Sequence, residues 1–408
     1  LLRRGVRHAY HHTTWYGQRL DERGLGPDDI RGPEDLVKLP LLEKNDARGS
    51  IEARTSSAPP FAVVTKITSG STGQPMVVSY NAESRHWRDA TRWRGYGWAG
   101  YRPGLKAFHY WGFGQPIKDR KTRWKIDLDR KLNRNLYVDC TGRSDEHLAG
   151  VVETFARYQP DILVSYSQAG AQLARYVTRS GRRRWGRIPT ILGAERLYDH
   201  DRAAIEAAFG PAFETYGSRE FMLTGAECEA HDGLHQAMET QIVEIIVRNP
   251  DGSTRAARPG ESGEVVVTDL HNLAVPHLRY VNSDLAVQRA PSRCACGRGL
   301  DRIGPIDGRV LETLRDAQGE PVGGTMFAVL FLYLVDHALQ YQVAQGADDR
   351  LTVRVVPIAG GLPPAAHQFI HTFSAKYLPG LPVTVEELAD IPTGPGGKRR
   401  LVLVEPKA

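Results

Sequence analysis

Thr68-Ser69-Gly70-Ser71-Thr72-Gly73-Gln74-Pro75 has the composition of a phosphate-binding loop. Glycine lets backbone N–H groups turn toward an anion, and the Ser and Thr hydroxyls add donors. Runs with strand character flank it, Phe61–Thr65 before and Pro75–Tyr80 after. No Lys-Ser/Thr pair closes the loop and no helix is expected to follow, so it is not a Walker A loop. The cysteines form a second group. Cys228-Glu229-Ala230-His231 has C-x₂-H spacing, and Cys294-Ala295-Cys296 has C-x-C spacing. Three thiolates and one imidazole make a common closed set for structural zinc, with His235 the rival of His231 as fourth donor. A third group is the run Phe108–Gly114, which includes His109, Tyr110, Trp111 and Phe113. Such a run can wall a pocket for an aromatic or apolar acid, and Tyr166 is a further candidate for that wall.

The order T-S-G-S-T-G-x-P resembles the phosphate loop of the adenylate-forming enzymes, the superfamily of acyl-CoA ligases. Other motifs follow in that superfamily's order. Tyr216-Gly217-Ser218-Arg219-Glu220 matches Y-G-x-x-E. The resemblance implies that Tyr216 stacks near the adenine and that Glu220 holds Mg²⁺. The physics agrees: an aromatic face suits a purine, and a carboxylate suits a hard cation bridging phosphates. Arg219 stands where Thr or Ser is usual. Gly193-Ala194-Glu195 resembles the element that lines the nucleotide site in phenylacetate–CoA ligases. Arg279-Tyr280-Val281-Asn282-Ser283-Asp284 is similar to R-Y-x-x-G-D, which implies that Asp284 binds both ribose hydroxyls; Ser283 takes the glycine's place. Asp307-Gly308-Arg309 matches the element before the interdomain hinge, where Leu311 replaces the usual Asp, so that either the domain rotation differs in detail or Glu312 serves instead. The G-K-R-R core of Pro392–Arg400 resembles the terminal motif, which implies that Lys398 is the catalytic lysine. The C-x-C-G-R form resembles a branch of the phenylacetate–CoA ligase family that includes capsule-biosynthesis-type members. Some members without the C-x-C keep a Gly-Leu-His like Gly233-Leu234-His235, which implies His231 as the zinc ligand.

The resemblance runs over about the whole chain. It implies an α/β adenylate-forming fold, with a large domain over residues 1–309 and a small α+β lid over 310–408 that carries Lys398. It implies ATP-dependent activation of a carboxylic acid to an acyl adenylate, then transfer to the thiol of CoA. Transfer to an amine or a carrier-protein thiol is the alternative. ATP, Mg²⁺, structural Zn²⁺ and CoA are the expected cofactors and co-substrates.

The elements that must position these residues are legible as periodicity. Asn81–Trp98 is expected as a helix, with Trp87, Trp93 and Trp98 near helical spacing and assigned to the core. Pro160–Tyr166 and Ile188–Glu195 read as buried strands separated by the helix Ala169–Thr178. Strands alternating with helices at this spacing indicate a parallel sheet, with ligands beyond its carboxyl ends. A later α+β region is expected from strands at Leu351–Val356 and Val383–Glu387 and a helix at Ala365–Tyr377.

With 408 residues, 41% hydrophobic and 25% charged, the composition is that of a globular protein. The longest apolar run, Met326–Val335, has ten residues, too few to span a bilayer. The net charge of +6 gathers at Lys118–Arg134 and Arg179–Arg187, read as solvated faces with no nucleic-acid motif. Four cysteines do not make a disulfide framework. The expected setting is cytoplasmic, with a small carboxylic acid and CoA as partners, no nucleic acid and no membrane; a homodimer is left open.

Overall fold

The computed structural model describes the chain except residues 61, 68–76, 113–118, 141–143, 196, 198, 250, 310–313, 320, 323–329, 331–332, 335–336, 359, 392–401 and 405–408. The expectations for Thr68–Gly73, Phe113, Leu311, Glu312 and Lys398 lie outside the described residues. Two compact units emerge: Leu1–Thr68, Met76–Tyr101 and Phe213–Arg309 form one, and Ser69–Pro75, Arg102–Ala212 and Val310–Ala408 the other.

The first unit begins with helices Leu2–His12 and Thr14–Asp21. Leu2, Gly5, Val6 and Ala9 recur at helical spacing and form the buried stripe of the first helix. Thr13 Oγ1 accepts from Tyr16 N at 3.3 Å and caps the second. Tyr16 is buried, and its hydroxyl accepts from Leu278 N at 2.9 Å and donates to Pro276 O at 3.3 Å. The N-terminal helices thereby hold the segment leading into the strand Tyr280–Val287. That strand belongs to a five-stranded antiparallel sheet in the order Thr254–Ala256, Gln241–Arg248, Ser262–Asp269, Tyr280–Val287, Ile306–Arg309. Val265, Val267, Tyr280 and Ala286 carry its buried face into one hydrophobic core with the helices. The register slips between Glu264–Leu285 and Val266–Val281, so Asn282, Ser283 and Asp284 bulge out of the ladder. Ser283 has φ 65°. This left-handed backbone is the physical reason that a glycine suits the position.

Ala212–Ser218, Met222–Glu227, Leu234–Gln236 and Arg302–Ile303 pair in succession, each antiparallel to the next. The helix Ala82–Trp98 matches expectation in extent, but its buried line is Ser84, Arg88, Thr91 and Gly95. Trp87 is exposed and stacks on His271, with ring centroids 4.6 Å apart, while Trp93 and Trp98 are half-buried. The core assignment of the tryptophans is corrected for a definite reason. The inward face is reserved for small residues and for one arginine with polar work to do.

In the second unit Ala107–Trp111 lies between Asn135–Asp139 and Ile162–Tyr166, and Ile162–Tyr166 also pairs with Thr190–Gly193. All these pairings are parallel, as the alternation of strands and helices predicts. Phe108, Leu163, Leu192 and Phe155 join one core with the flanking helices. Farther along, Val383–Glu387, Leu351–Pro357, Ala338–Gln345 and Val402–Val404 form a four-stranded sheet in that order. The helix Pro364–Tyr377 buries Ile370, Phe373 and Tyr377 in the same core as Val343 and Val353.

Candidate functional site

Gly217 and Glu220 sit where Ala212–Ser218 turns back into Met222–Glu227, and Ser218 faces Met222 across the hairpin. A Cβ on Gly217 would meet Met222 O at 1.8 Å, so the turn admits glycine alone. Glu220 is buried, and Tyr280 Oη donates to its Oε1 at 3.2 Å. Arg48 faces the same pair. Burial lowers its pKa, and the opposing fields of Tyr280 and Glu220 raise it. The hairpin is pinned from behind by Arg88, which donates to Glu220 O and, at 2.7 Å, to Asp269 Oδ2. Both partners of the Arg88–Asp269 pair are nearly fully buried. Such a pair gives its strength only when geometry and remaining hydrogen bonds are satisfied. Here Arg88 Nε donates to Ser84 Oγ at 2.9 Å, and Asp269 Oδ1 accepts from His271 N and Asn272 N. A buried carboxylate held in a turn fits a hard cation by the chemistry of its oxygens.

The bulge in Tyr280–Val287 supplies the second half of the site. Tyr216 Oη donates to Asp284 Oδ2 at 2.8 Å. Asn282 Nδ2 donates to both, at 2.8 Å each. Asn282 and Asp284 flank the left-handed Ser283, and the bulge brings both to Tyr216. Asp284 also stands opposite Arg309 in the strand register, which brings the backbone of the Gly308-Arg309 element alongside. Tyr216, Glu220 and Asp284 thus belong to one unit, and the backbone of Arg309 pairs beside that of Asp284. Asn282, Arg88 and Arg48 are additions that sequence reading passed over. The first two hide behind ordinary polar identities, and Arg48 comes from a helix far back in the chain, Lys44–Gly49.

In the other unit, Gly193 ends a buried parallel strand, and Ala194 has φ 68° and is exposed beyond the strand's carboxyl end. Ser167 Oγ donates to Glu195 O at 3.0 Å and holds that turn. On the neighbouring strands, Trp111 and Tyr166 meet edge to face at 4.2 Å, and His109 stacks on Tyr137 at 4.2 Å with a 6° tilt. Tyr110 is a correction to the expected wall. Side chains alternate along a strand, so Tyr110 leaves the face of His109 and Trp111 and joins Phe108 in the core.

The cysteine group converges on one point of the first unit. Cys228, Cys294, Cys296 and His235 offer ligand atoms that all lie within 4.8 Å of one another. Cys228 follows the strand Met222–Glu227, His235 lies on Leu234–Gln236, and Cys294–Cys296 precede Arg302–Ile303. The pairing of Arg302 with His235 closes the two segments together. Asp232 binds Arg289 at 2.6 Å and also Arg302, tying the loops. The fourth member is His235; the expectation of His231 is corrected. His231 has φ 48° and turns its Nδ1 to Glu227 Oε2 at 3.3 Å. His235 has Nδ1 against Leu300 O at 3.3 Å, which leaves Nε2 for a metal. Arms of about 2.3 Å to sulfur and 2.0–2.1 Å to nitrogen give a tetrahedron with edges of roughly 3.6–3.8 Å. Cys228 Sγ and Cys294 Sγ are 3.7 Å apart, and Cys296 Sγ and His235 Nε2 are 3.3 Å apart. The set therefore fits a tetrahedral thiolate-loving cation such as zinc. Burial pushes the Cys228 thiol up to about 12, a bias that a bound dication would reverse.

No family profile matches the chain. The phenylacetate–coenzyme A ligase of Pseudomonas putida is 32% identical over 321 residues, covering 76% of this chain and 69% of that protein. The phenylacetate–coenzyme A ligase of Thermus thermophilus is 27% identical over 370 residues, 87% of this chain and 79% of the relative. Among solved structures, 2-hydroxyisobutyryl-CoA ligase with 2-HIB-AMP and CoA in the thioesterification state superposes with a TM-score of 0.63. It covers 99% of this chain and 88% of its own at 19% identity, a likeness of fold. The same enzyme in its postadenylation state gives 0.60 at 18% identity, with the same coverage.

Proposed function

Because the chain belongs to the phenylacetate–coenzyme A ligase family, we propose that it activates a carboxylic acid with ATP and transfers the acyl group to CoA. The observation that carries this reading is the Tyr216–Asp284–Asn282 cluster, two of whose three hydrogen bonds join residues 66 and 68 positions apart. A carboxylate is a poor acyl donor at neutral pH. Attack of its oxygen on the α-phosphorus of ATP forms a mixed anhydride and expels pyrophosphate. The CoA thiol then attacks the acyl carbon, and AMP leaves with the bonding electrons.

The residues divide this work by charge and shape. Asp284 accepts from the two ribose hydroxyls, while Tyr216 offers its ring to the adenine and its hydroxyl to Asp284. Glu220 is the residue that would hold Mg²⁺, which when bound offsets negative charge on the phosphates. Arg88 and Tyr280 keep Glu220 in place. Residues 310–408 are taken as the lid, and Lys398 as the cation that meets charge moving between carboxylate and α-phosphate. Trp111, Tyr166 and His109 form an aromatic face suited to an aryl or arylalkyl acid. Zinc at Cys228, His235, Cys294 and Cys296 would be structural, since four protein donors leave no open position.

ATP–pyrophosphate exchange with a panel of acids tests the reading. Exchange should be strongest with arylacetic and aryl acids, and acyl-CoA should then form at a rate comparable to pyrophosphate release. An adenylate that ignores CoA and is consumed by an amine or pantetheine would overturn the acceptor. Exchange confined to acetate-sized acids would overturn the aromatic substrate, and no exchange with any acid would overturn the ligase reading.

A further inference from the structure

The helix Arg120–Leu132 buries none of its side chains fully. Trp124, Leu128 and Leu132 recur every fourth residue, share one face, and are 65%, 38% and 73% exposed. At 100° per residue Lys121 falls on that face, and Lys125, Lys131 and Arg120 border it. None of these four cations makes an ion pair among the described residues. Six cations against Asp127 and Asp129 give the helix a net charge of +4.

A cavity of about 450 Å³ adjoins the carboxyl end of this helix, where Lys106, Arg130, Lys131 and Arg134 outnumber the carboxylate of Asp127 in the lining and that of Asp161 beside it, which accepts from Lys106 N at 2.7 Å. Lys106 Nζ donates to Tyr158 O at 3.3 Å, and Arg134 Nη1 to Gly104 O at 2.9 Å. Carbonyls position these cations without cancelling their charge. Among the described residues Arg130 alone of these four has an ion pair, with Asp127 at 3.7 Å, and its guanidinium lies over the Tyr137 ring at 4.4 Å. The cavity lies at the amino ends of Ala107–Trp111 and Asn135–Asp139, whereas Trp111 and Tyr166 lie at the carboxyl ends of their strands.

We propose that this face docks on a membrane surface carrying anionic phospholipid. Trp124, Leu128 and Leu132 enter the interface, the flanking lysines meet the surface charge, and the cavity receives a headgroup phosphate. A tryptophan-bearing apolar stripe with basic flanks is the pattern of a helix lying in the membrane plane. A second copy is disfavoured, since it would set two helices of +4 face to face. A nucleic acid leaves the Leu128–Leu132 part of the stripe without a partner. No described helix is long and apolar enough to cross a membrane, but docking on one needs no such span. The inference departs from the expectation of no membrane, which rested on spanning runs. It stands apart from the ligase reading.

The test is cosedimentation of the full chain with vesicles of phosphatidylcholine alone or mixed with phosphatidylserine, at low and high salt. Binding should be at least about tenfold stronger with phosphatidylserine and should fall with salt. The double variants Trp124→Ala/Leu132→Ala and Lys121→Glu/Lys125→Glu should each weaken it by about tenfold or more. Both should keep the wild-type melting temperature, because every altered side chain is exposed. Equal sedimentation with the two vesicle types would overturn the proposal, as would undiminished binding by either variant. A dimer in sedimentation velocity that the Trp124→Ala/Leu132→Ala variant dissolves would assign the face to a second copy instead.

Discussion

Asn282 shows how much a single unremarkable side chain can hold. Its amide touches Tyr216 Oη and Asp284 Oδ2 at once and fixes the direction of the carboxylate proposed to receive the ribose. Asn282→Ala should raise the KM for ATP by roughly 5- to 10-fold, the loss of about one hydrogen bond, and leave the melting temperature within a few degrees. An unchanged KM would remove Asn282 from the site. Lys398 makes a stronger demand. Lys398→Ala should lower pyrophosphate exchange by on the order of 10²-fold or more, the scale for losing a preorganised charge. Thioester formation from a synthetic acyl adenylate should survive, and equal loss in both half-reactions would contradict its role in adenylation. His277 predicts a pH dependence. It is fully buried between Phe221 and Tyr280, and desolvation, with the nearby charges of Arg54 and Arg88, holds its pKa well below 6.5. The unfolded chain therefore binds a proton that the folded chain refuses once pH falls below about 6.5. Folding stability should be full above that pH and drop by about 1.4 kcal/mol per unit below it from this residue alone. Urea titrations of wild type and His277→Gln across that range should differ in slope by this amount, and parallel curves would refute it.

Hairpins and bulges, more than helices, place the chemistry of this chain. The turn between Ala212–Ser218 and Met222–Glu227 presents Glu220, and the slip opposite Val265 presents Asn282 and Asp284. Neither device has a periodic signature, yet both contain a residue whose backbone explains its motif: Gly217 beneath Met222 O, and Ser283 at φ 65°. The zinc proposal belongs to this scale, because four ligands from three segments act as a clasp on the loops. Elemental analysis should find about one zinc per chain. Cys294→Ser and His235→Ala should lose it and lower the melting temperature, whereas His231→Ala should keep it. Metal retained by His235→Ala but lost from His231→Ala would restore the histidine first expected.

At the scale of the molecule, the order of the motifs was legible in the sequence because each is short and chemically distinctive. A Ser/Gly/Thr loop, Y-G-x-x-E, R-Y-x-x-x-D and a late glycine-flanked lysine could be read without any contact being known. The alternation of strand and helix over residues 160–195 was equally plain, since burial on both faces of a parallel sheet leaves continuous apolar runs. The paired thiols also announced a metal set by spacing alone. What tertiary structure decided was which of several adequate residues is used. His231 and His235 carry the same ring four positions apart, and only the pairing of Leu234–Gln236 with Arg302–Ile303 brings the second to the thiols. Tyr110 and Trp111 are neighbours in sequence, and strand alternation sends one to the core and the other to the aromatic face. Arg88 reads as a surface charge on a helix, and only folding buries it between Asp269 and the Glu220 turn. Residue type is a local property, but direction and burial are set by partners up to 262 positions away, and no local pattern encodes them.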